Sequence, residues 1–297
     1  MKKYEYNGEA IKGLFASYKS DSPPFRTTAA TFPERNSEWA EVSALEQLMF
    51  PYYHNKGKAT RNGRALQRQL SKFGQLLYSS IIPYVGDDES LPVGSDVSGI
   101  VTKVIDQLPS VREKLKSDVS AAFEKDPASN NFGEIIRAYP GFKAVQVHRL
   151  AHELYRQGAK SAAREYSEHA HSWAGIDIHP GAQIGYGFFI DHGTKVIIGE
   201  TTKIGNGVKI YGGVLLGAKS NGKGRADKGK KRHPTIGDGT VIYTDVRVLG
   251  DINIGKNCII GANCTITEDI KPDMKVVIND DGEQIIEPRN KQLAGVR

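Results

Sequence analysis

The chain has 297 residues, with 40 Lys and Arg against 34 Asp and Glu and a formal net charge of +6. That length suits two domains or one elongated one, and the charge favours anionic partners without naming any. No apolar run reaches the about 18 residues that span a bilayer, and residues 1–8 carry no apolar core of a signal peptide. A cytoplasmic protein without membrane association is expected.

Residues 1–35, with Pro23-Pro24 and Thr27-Thr28, show little periodicity and read as an irregular N-terminal arm. Asn36-Ser37-Glu38-Trp39 resembles a helix N-cap followed by an acid, leading through Val42, Leu45, Leu48 and Met49. Pro51 and Tyr52-Tyr53-His54 are expected to end that helix. Leu66, Leu70, Phe73, Leu76 and Leu77 then recur at helical spacing, with basic residues opposite. After a break at Gly86-Asp87-Asp88, helical patterns occupy 95–107 and, beyond Pro109, 111–123. A further helix covers 141–157, with Phe142, Val145, Leu150 and Leu154 inward and Gly158 as its C-cap.

Residues 36–172 therefore read as an α-helical domain. Within it His148 and His152 stand four apart, a spacing that can seat a metal. Arg149 occupies the place where the H-E-x-x-H pattern has its glutamate. Both histidines are read as ordinary polar helix positions, and no metal is assigned.

From Ile178 onward the period changes. Aliphatic anchors fall at Ile178, Ile184 and Ile190, slip by two residues, and resume at Ile198, Ile204, Ile210 and Leu216. They continue at Ile236, Ile242, Val248, Ile254, Ile260 and Ile266. A six-residue period is neither helical nor a strand alternation; it marks a solenoid of flat-sided coils, three hexads to a coil. The fold expected is α+β: an N-terminal α-helical domain, then a left-handed parallel β-helix of hexapeptide repeats over 173–278. Such prisms often associate as trimers.

Residues 217–234 interrupt the anchors as an extruded basic loop, with seven Lys or Arg and one Asp between Lys219 and Arg232. It reads as a solvated excursion or as an electrostatic clamp for the phosphates of a nucleotide-containing co-substrate. No aromatic residues interleave the cations, so nucleic acid is not expected. Cys258 and Cys264 lie six apart, at matching positions on neighbouring faces, and read as small buried filler. Residues 279–297 form a hairpin return, with an Asp281-Gly282 turn, and a polar tail.

Titratable residues cluster where the repeat begins, and they do not help a solenoid fold. Asp126-Pro127, Gly141-Phe142-x-Ala144-x-Gln146-x-x-Arg149, Asp177-Ile178-His179-Pro180, Asp191-His192, Gly199-Glu200-Thr201 and Arg232-His233-Pro234 together resemble serine O-acetyltransferases. The resemblance covers roughly residues 95–278. It implies an acetyl-CoA-dependent enzyme that acetylates the hydroxyl of L-serine in cysteine biosynthesis, with no metal. A serine hydroxyl needs a base as it attacks a thioester, and histidine, with an ordinary pKa near 6.5, suits.

By resemblance His192 is that base and Asp177 its orienting acid, with His233 assisting charge on the intermediate. Asp126, Asp191, Arg232 and His233 match the serine-binding residues. Gly217, Ala218, Lys219 and Thr244 match the CoA-binding positions, although Tyr243-Thr244-Asp245 replaces the family's usual Gly-Ala-Gly. The family further implies a homotrimer or dimer of trimers with each site between two prisms. Its C-terminal isoleucine, which docks cysteine synthase, is replaced by Gly295-Val296-Arg297, so that complex is not expected.

Three other readings compete. One is a prism-fold acyltransferase for a sugar or another small acceptor. Another is a zinc hydratase resembling the gamma carbonic anhydrases, with His179, His192 and His233 as ligands. The third is a scaffold without catalysis.

Overall fold

A computed structural model describes residues 40–54, 63–219 and 224–289. The expected arm, the cap at residues 36–39 and the polar end of the tail lie outside the described residues. The helical part comprises α1 (Ala40–Met49), α2 (Pro51–His54), α3 (Gly63–Ile81), α4 (Val97–Lys125), α5 (Phe132–Ala138), α6 (Pro140–Arg156) and α7 (Lys160–Ala174). The first helix ends at Met49, ahead of Pro51 as expected, but Pro51–His54 then form a short helix of their own where only a stop was expected. Proline is tolerated in a first helical turn, and after Phe50 the chain re-enters helix there.

The two helices expected on either side of Pro109 are one, α4, starting from Asp96, whose Oδ1 accepts the Gly99 N–H at 2.8 Å. Buried Val97, Val101, Val104, Leu108, Val111, Leu115 and Val119 follow at steps of three and four straight through the proline. A stripe buried along its whole length outweighs the one backbone bond that Pro109 forfeits. Among the described residues no helix is long and apolar enough to cross a membrane.

The second part is the expected left-handed β-helix. Its three faces are parallel sheets, each taking one strand from successive coils. The first holds β1 (Ile176–Ile178), β4 (Val196–Ile198), β7 (Leu215–Gly217), β10 (Arg247–Leu249) and β13 (Thr265–Ile266). The second holds β2 (Gln183–Ile184), β5 (Lys203–Ile204), β8 (Thr235–Ile236) and β11 (Asn253–Ile254). The third holds β3 (Phe189–Ile190), β6 (Lys209–Ile210), β9 (Val241–Ile242), β12 (Ile259–Ile260) and β14 (Met274–Ile278). β15 (Gln284–Pro288) closes the third face antiparallel to β14.

Register confirms the hexads: Ile178 pairs with Ile198, Ile184 with Ile204, and Ile190 with Ile210. Every anchor is buried, and Cys258 and Cys264 fill the same interior as free thiols.

Helix α6 joins the two parts. Its Phe142, Val147, Leu150 and Leu154 belong to the helical core, whereas Ala144 and Val145 belong to the prism core. Gly141 lies against β3 so closely that a Cβ there would sit 2.2 Å from the Ile190 carbonyl oxygen, which is why this helix opens on glycine. Arg149 grips both sides of the junction. Its Nε and Nη2 donate to Asp118 at 2.6 and 2.8 Å, and Nη2 also donates to the Gly185 carbonyl at 2.8 Å. Asp118 in turn accepts the Phe188 N–H at 2.9 Å.

His148 and His152 depart from expectation. His148 is 3 % exposed, and the ring of His152, 5.7 Å away, donates through Nδ1 to the Pro180 carbonyl at 2.8 Å. They are packing residues of the junction, placed there because the α6 face that carries them is turned to the prism.

Two outcomes follow from this junction. Asp118→Ala leaves a buried guanidinium unpaired and should lower unfolding stability by about 3–5 kcal/mol, read from urea unfolding followed by circular dichroism. Burial lowers the pKa of His148 and His152 below the ordinary 6.5. The unfolded chain therefore takes up protons first as pH falls, and stability drops below about pH 6.5. The melting temperature should decline between pH 6.5 and 5, above the carboxylate range; a flat profile there contradicts the assignment.

Candidate functional site

Apart from Asp126, at the end of α4, and Asp177, on the first face, the polar residues singled out in the sequence lie along two edges of the prism, the ones that bound its first face. One edge joins the third face to the first and carries Asp191, His192, Tyr211, Tyr243 and Thr244, each just after a third-face strand. The other joins the first face to the second and carries His179, Gly199, Glu200, Thr201 and the basic loop.

On the first of these edges His192 is the turn residue that absorbs the slip in the repeat. Its φ is 59°, in the left-handed region, and Gly193 follows at 90°. The turn throws the imidazole outward, with its side chain 81 % exposed. Nδ1 lies 3.8 Å from Asp191 Oδ1, and the ring stands 6.5 Å from that of Tyr211, which stacks on Tyr243 at 5.0 Å.

Asp191 is held by Lys209, which β6 points outward one step before its anchor, Ile210. Lys209 Nζ meets Asp191 Oδ2 at 2.9 Å, donates to the Lys125 carbonyl at 3.0 Å, and lies over the rings of Tyr211 and Phe189. Burial opposes its charge, but the side chains of Tyr211 and Asp191 outweigh that and raise its pKa.

The Lys125 carbonyl directly precedes Asp126, the residue that ends α4. Asp126 Oδ2 accepts the Tyr139 hydroxyl at 2.6 Å, and this bond holds its carboxyl below the usual range, helped by the charges of Lys209 and His192. Asp126, distant in sequence, thus joins the neighbours Asp191 and His192 in one group: two carboxylates beside an exposed imidazole.

On the other edge Glu200 ties the loop's return to the helical part. Its Oε1 accepts the Tyr155 hydroxyl at 2.8 Å and its Oε2 accepts Arg232 Nη2 at 2.5 Å. Burial pushes the Glu200 carboxyl up, yet these two bonds win and keep it below its ordinary value. His233 is buried against Thr201, with its pKa lowered to about 4, first by burial and then by the Arg232 charge.

His179 accepts the Gly181 N–H on Nδ1 at 3.0 Å, which stabilises its own turn, and burial lowers it also to about 4. Gly217, Ala218 and Lys219 leave the prism at this edge, while Thr244 sits exposed on the other. The loop folds back toward the helical part, where Arg225 Nη2 meets Glu89 at 2.8 Å and Lys228 pairs with the same carboxylate.

Within one chain Asp177 and His192 have other partners, so the pairing that the resemblance implies is not made inside a single protomer. Asp177 projects from the middle strand position of the first face, and Arg164 Nη1 donates to its Oδ1 at 3.1 Å. His192 belongs to the edge behind that face. Crossing a face takes three strand residues, roughly 10 Å at about 3.3 Å per residue. The same separation keeps His192 apart from Arg232 and His233, and Thr244 apart from Gly217. It also leaves His179, His192 and His233 unable to converge on one ion within a chain.

Lys209, Tyr139, Tyr155 and Arg164 were not singled out from the sequence. A lysine at an outward hexad position looks like any solvent-facing residue there. Only the Tyr139-Pro140 step ahead of α6 hinted at a fixed tyrosine.

Comparisons with known proteins agree with this geometry. The profile described as "Serine acetyltransferase, N-terminal" matches residues 86–147, and "Bacterial transferase hexapeptide (six repeats)" matches residues 233–268. The plasmid serine acetyltransferase of Synechococcus elongatus is 38 % identical over 279 residues, covering 88 % of each chain. The serine acetyltransferase of Mycobacterium tuberculosis is 47 % identical over 163 residues, covering 55 % of this chain and 69 % of its own. Among solved structures, serine acetyltransferase isoform 3 of Entamoeba histolytica, in complex with cysteine, superposes with a TM-score of 0.72. It is 38 % identical and covers 93 % of this chain and 94 % of its own. A helical domain of this kind, a hexapeptide prism and an acid–histidine set on its edges go with that likeness, and the chain belongs to the serine acetyltransferase family.

Proposed function

We propose that the chain transfers acetyl from acetyl-CoA to the hydroxyl of L-serine, and that each active centre is built from two protomers of a homotrimer. The observation that carries the second half is the division of the site between two edges of one prism. In a threefold assembly of parallel prisms, the edge bearing Asp126, Asp191 and His192 on one protomer faces the edge bearing Arg232 and His233 on the next. Asp177, on the face beside that second edge, then comes within reach of the neighbour's imidazole. An exposed His192 whose nearest acid among the described residues is Asp191, at 3.8 Å, is what an incomplete half-site looks like.

The chemistry follows from the charges. The ammonium of serine is drawn to Asp126 and Asp191, and its carboxylate to Arg232. His192 takes the hydroxyl proton as the oxygen attacks the thioester carbon, with Asp177 stabilising the imidazolium. The oxyanion of the tetrahedral intermediate accepts a hydrogen bond from His233. Collapse expels the CoA thiolate, which recovers the proton from His192. No enzyme nucleophile is required, in keeping with two thiols buried inside the prism.

Acetyl-CoA would lie in the cleft between prisms, with Gly217, Ala218 and Lys219 from one protomer and Thr244 from the other. Glycine at 217 leaves the backbone open to the pantetheine arm, and the cations of the loop suit its phosphates.

His192→Ala should lower CoA release in the presence of L-serine by roughly a hundredfold or more, the range that general-base catalysis supplies. Full activity in that variant contradicts the assignment. The shared site has its own test. His192→Ala and His233→Ala, each nearly inactive alone, should regain activity when co-expressed, because mixed trimers contain one centre with both histidines. Absence of complementation in trimers shown by mass spectrometry to be mixed would place the whole centre in one chain.

A further inference from the structure

The loop's return, Arg232-His233-Pro234, plugs into a socket made by Gly199-Glu200-Thr201. Thr201 Oγ1 accepts the backbone N–H of Arg232 at 3.0 Å and that of His233 at 3.1 Å. A hydroxyl offers two acceptor lone pairs and one hydrogen. With both lone pairs taken, the hydrogen is left for the remaining neighbour, His233 Nδ1, at 2.9 Å. The Thr201 N–H donates to the same Nδ1 at 3.1 Å. A ring nitrogen that receives two donors carries no proton of its own, so the imidazole proton resides on Nε2.

Gly199 makes room for this. A Cβ there would lie 2.1 Å from His233 Cδ2 and 2.3 Å from Nε2. Glu200 completes the socket by holding the Arg232 guanidinium at 2.5 Å.

We propose that Thr201 is a positioning residue of the acetyl transfer: its hydroxyl locks His233 as the neutral Nε2–H tautomer and pins the loop's return to the prism edge. The proposal rests on the reading of His233 as a residue of the active centre. It gives His233 a definite part, that of a fixed, uncharged hydrogen-bond donor and not a second base. The charged and titratable groups around the ring are Arg232, Glu200, Lys231 and His179. A neutral ring beside Arg232 avoids burying two cations together, and keeps the donor available at every pH at which His192 can act as a base.

The Gly-Glu-Thr run thus gains a residue-by-residue meaning. The glycine admits the ring, the acid aims the arginine, and the threonine sets the tautomer.

The test uses the full-length protein in three variants, Thr201→Val, Thr201→Ser and His233→Ala, with kinetics and nitrogen NMR of ring-labelled histidine. The His233→Ala spectrum assigns the His233 signals. In the wild type, His233 should show a protonated Nε2 and an unprotonated, hydrogen-bonded Nδ1, unchanged from pH 8 down to 6.

Thr201→Val removes the hydroxyl while keeping the shape of the side chain. It should lower kcat tenfold or more with little change in KM for acetyl-CoA, and shift the His233 titration to higher pH. Thr201→Ser should restore both. A protonated Nδ1 in the wild type, or a Thr201→Val enzyme with unaltered kcat and an unaltered ring signature, overturns the proposal. If Thr201→Val does not fold, the wild-type ring signature still decides the tautomer. Full activity in His233→Ala would instead remove His233 from the reaction, an outcome distinguishable from a wrong tautomer because the spectra report the ring without turnover.

Discussion

One inward aliphatic side chain every six residues is the constraint on which the structure depends. Stacked from Ile178 to Ile266, these anchors fill the prism and leave its interior to apolar side chains and small hydroxyls such as Thr240. Each face is a sheet whose strands are two or three residues long over most of its height, and its backbone is spent on the ladder between coils. What remains for chemistry is the edges, where the chain turns and can leave the strand conformation. His192 at φ 59° and Asp245 at φ 59° are both edge residues. Solenoid packing therefore decides in advance that a site here is linear, shallow and divided, and an assembly of prisms is the direct way to deepen it.

The helical part supplies what the prism cannot. Helix α6 shares its residues between both cores, and the Arg149–Asp118 pair clamps α4 to the first coil through the carbonyls of the β2 turn. With α4 fixed, its terminal Asp126 arrives beside the third-face edge, and Lys209 joins the Lys125 carbonyl to Asp191 across that seam. The order of dependence runs from anchor column to helix docking to the carboxylates that flank His192. A substitution far from the edge, at Gly141 or Arg149, thus acts on the site through the angle of a helix.

Much of this was legible in the chain. Every anchor assigned from the six-residue period is buried, and the run of motifs from Asp126 to Pro234 pointed to the family. The errors have physical causes. Pro109 looked like a helix boundary because local propensity ignores a buried stripe that continues on both sides of it. His148 and His152 were read only as ordinary polar helix positions, because the second core, which covers their side of α6, is made by residues later in the chain. The pairing of Asp177 with His192 was implied by the family resemblance; within one chain the acid stands on a face and the imidazole on an edge.

The sequence alone determined the periodic architecture, the point where helices give way to the prism, the extruded loop and the family resemblance. These follow from local spacing and residue type, which any short window displays. Only the tertiary structure decided which groups share an edge. It brought Lys209 to Asp191, Tyr139 to Asp126 and Thr201 to His233, and it separated Asp177 from His192. Those relations join residues far apart along the chain, or part residues close in it, through the rotation of one coil on the next. That rotation is set by packing around the whole prism and has no signature in any one stretch of sequence.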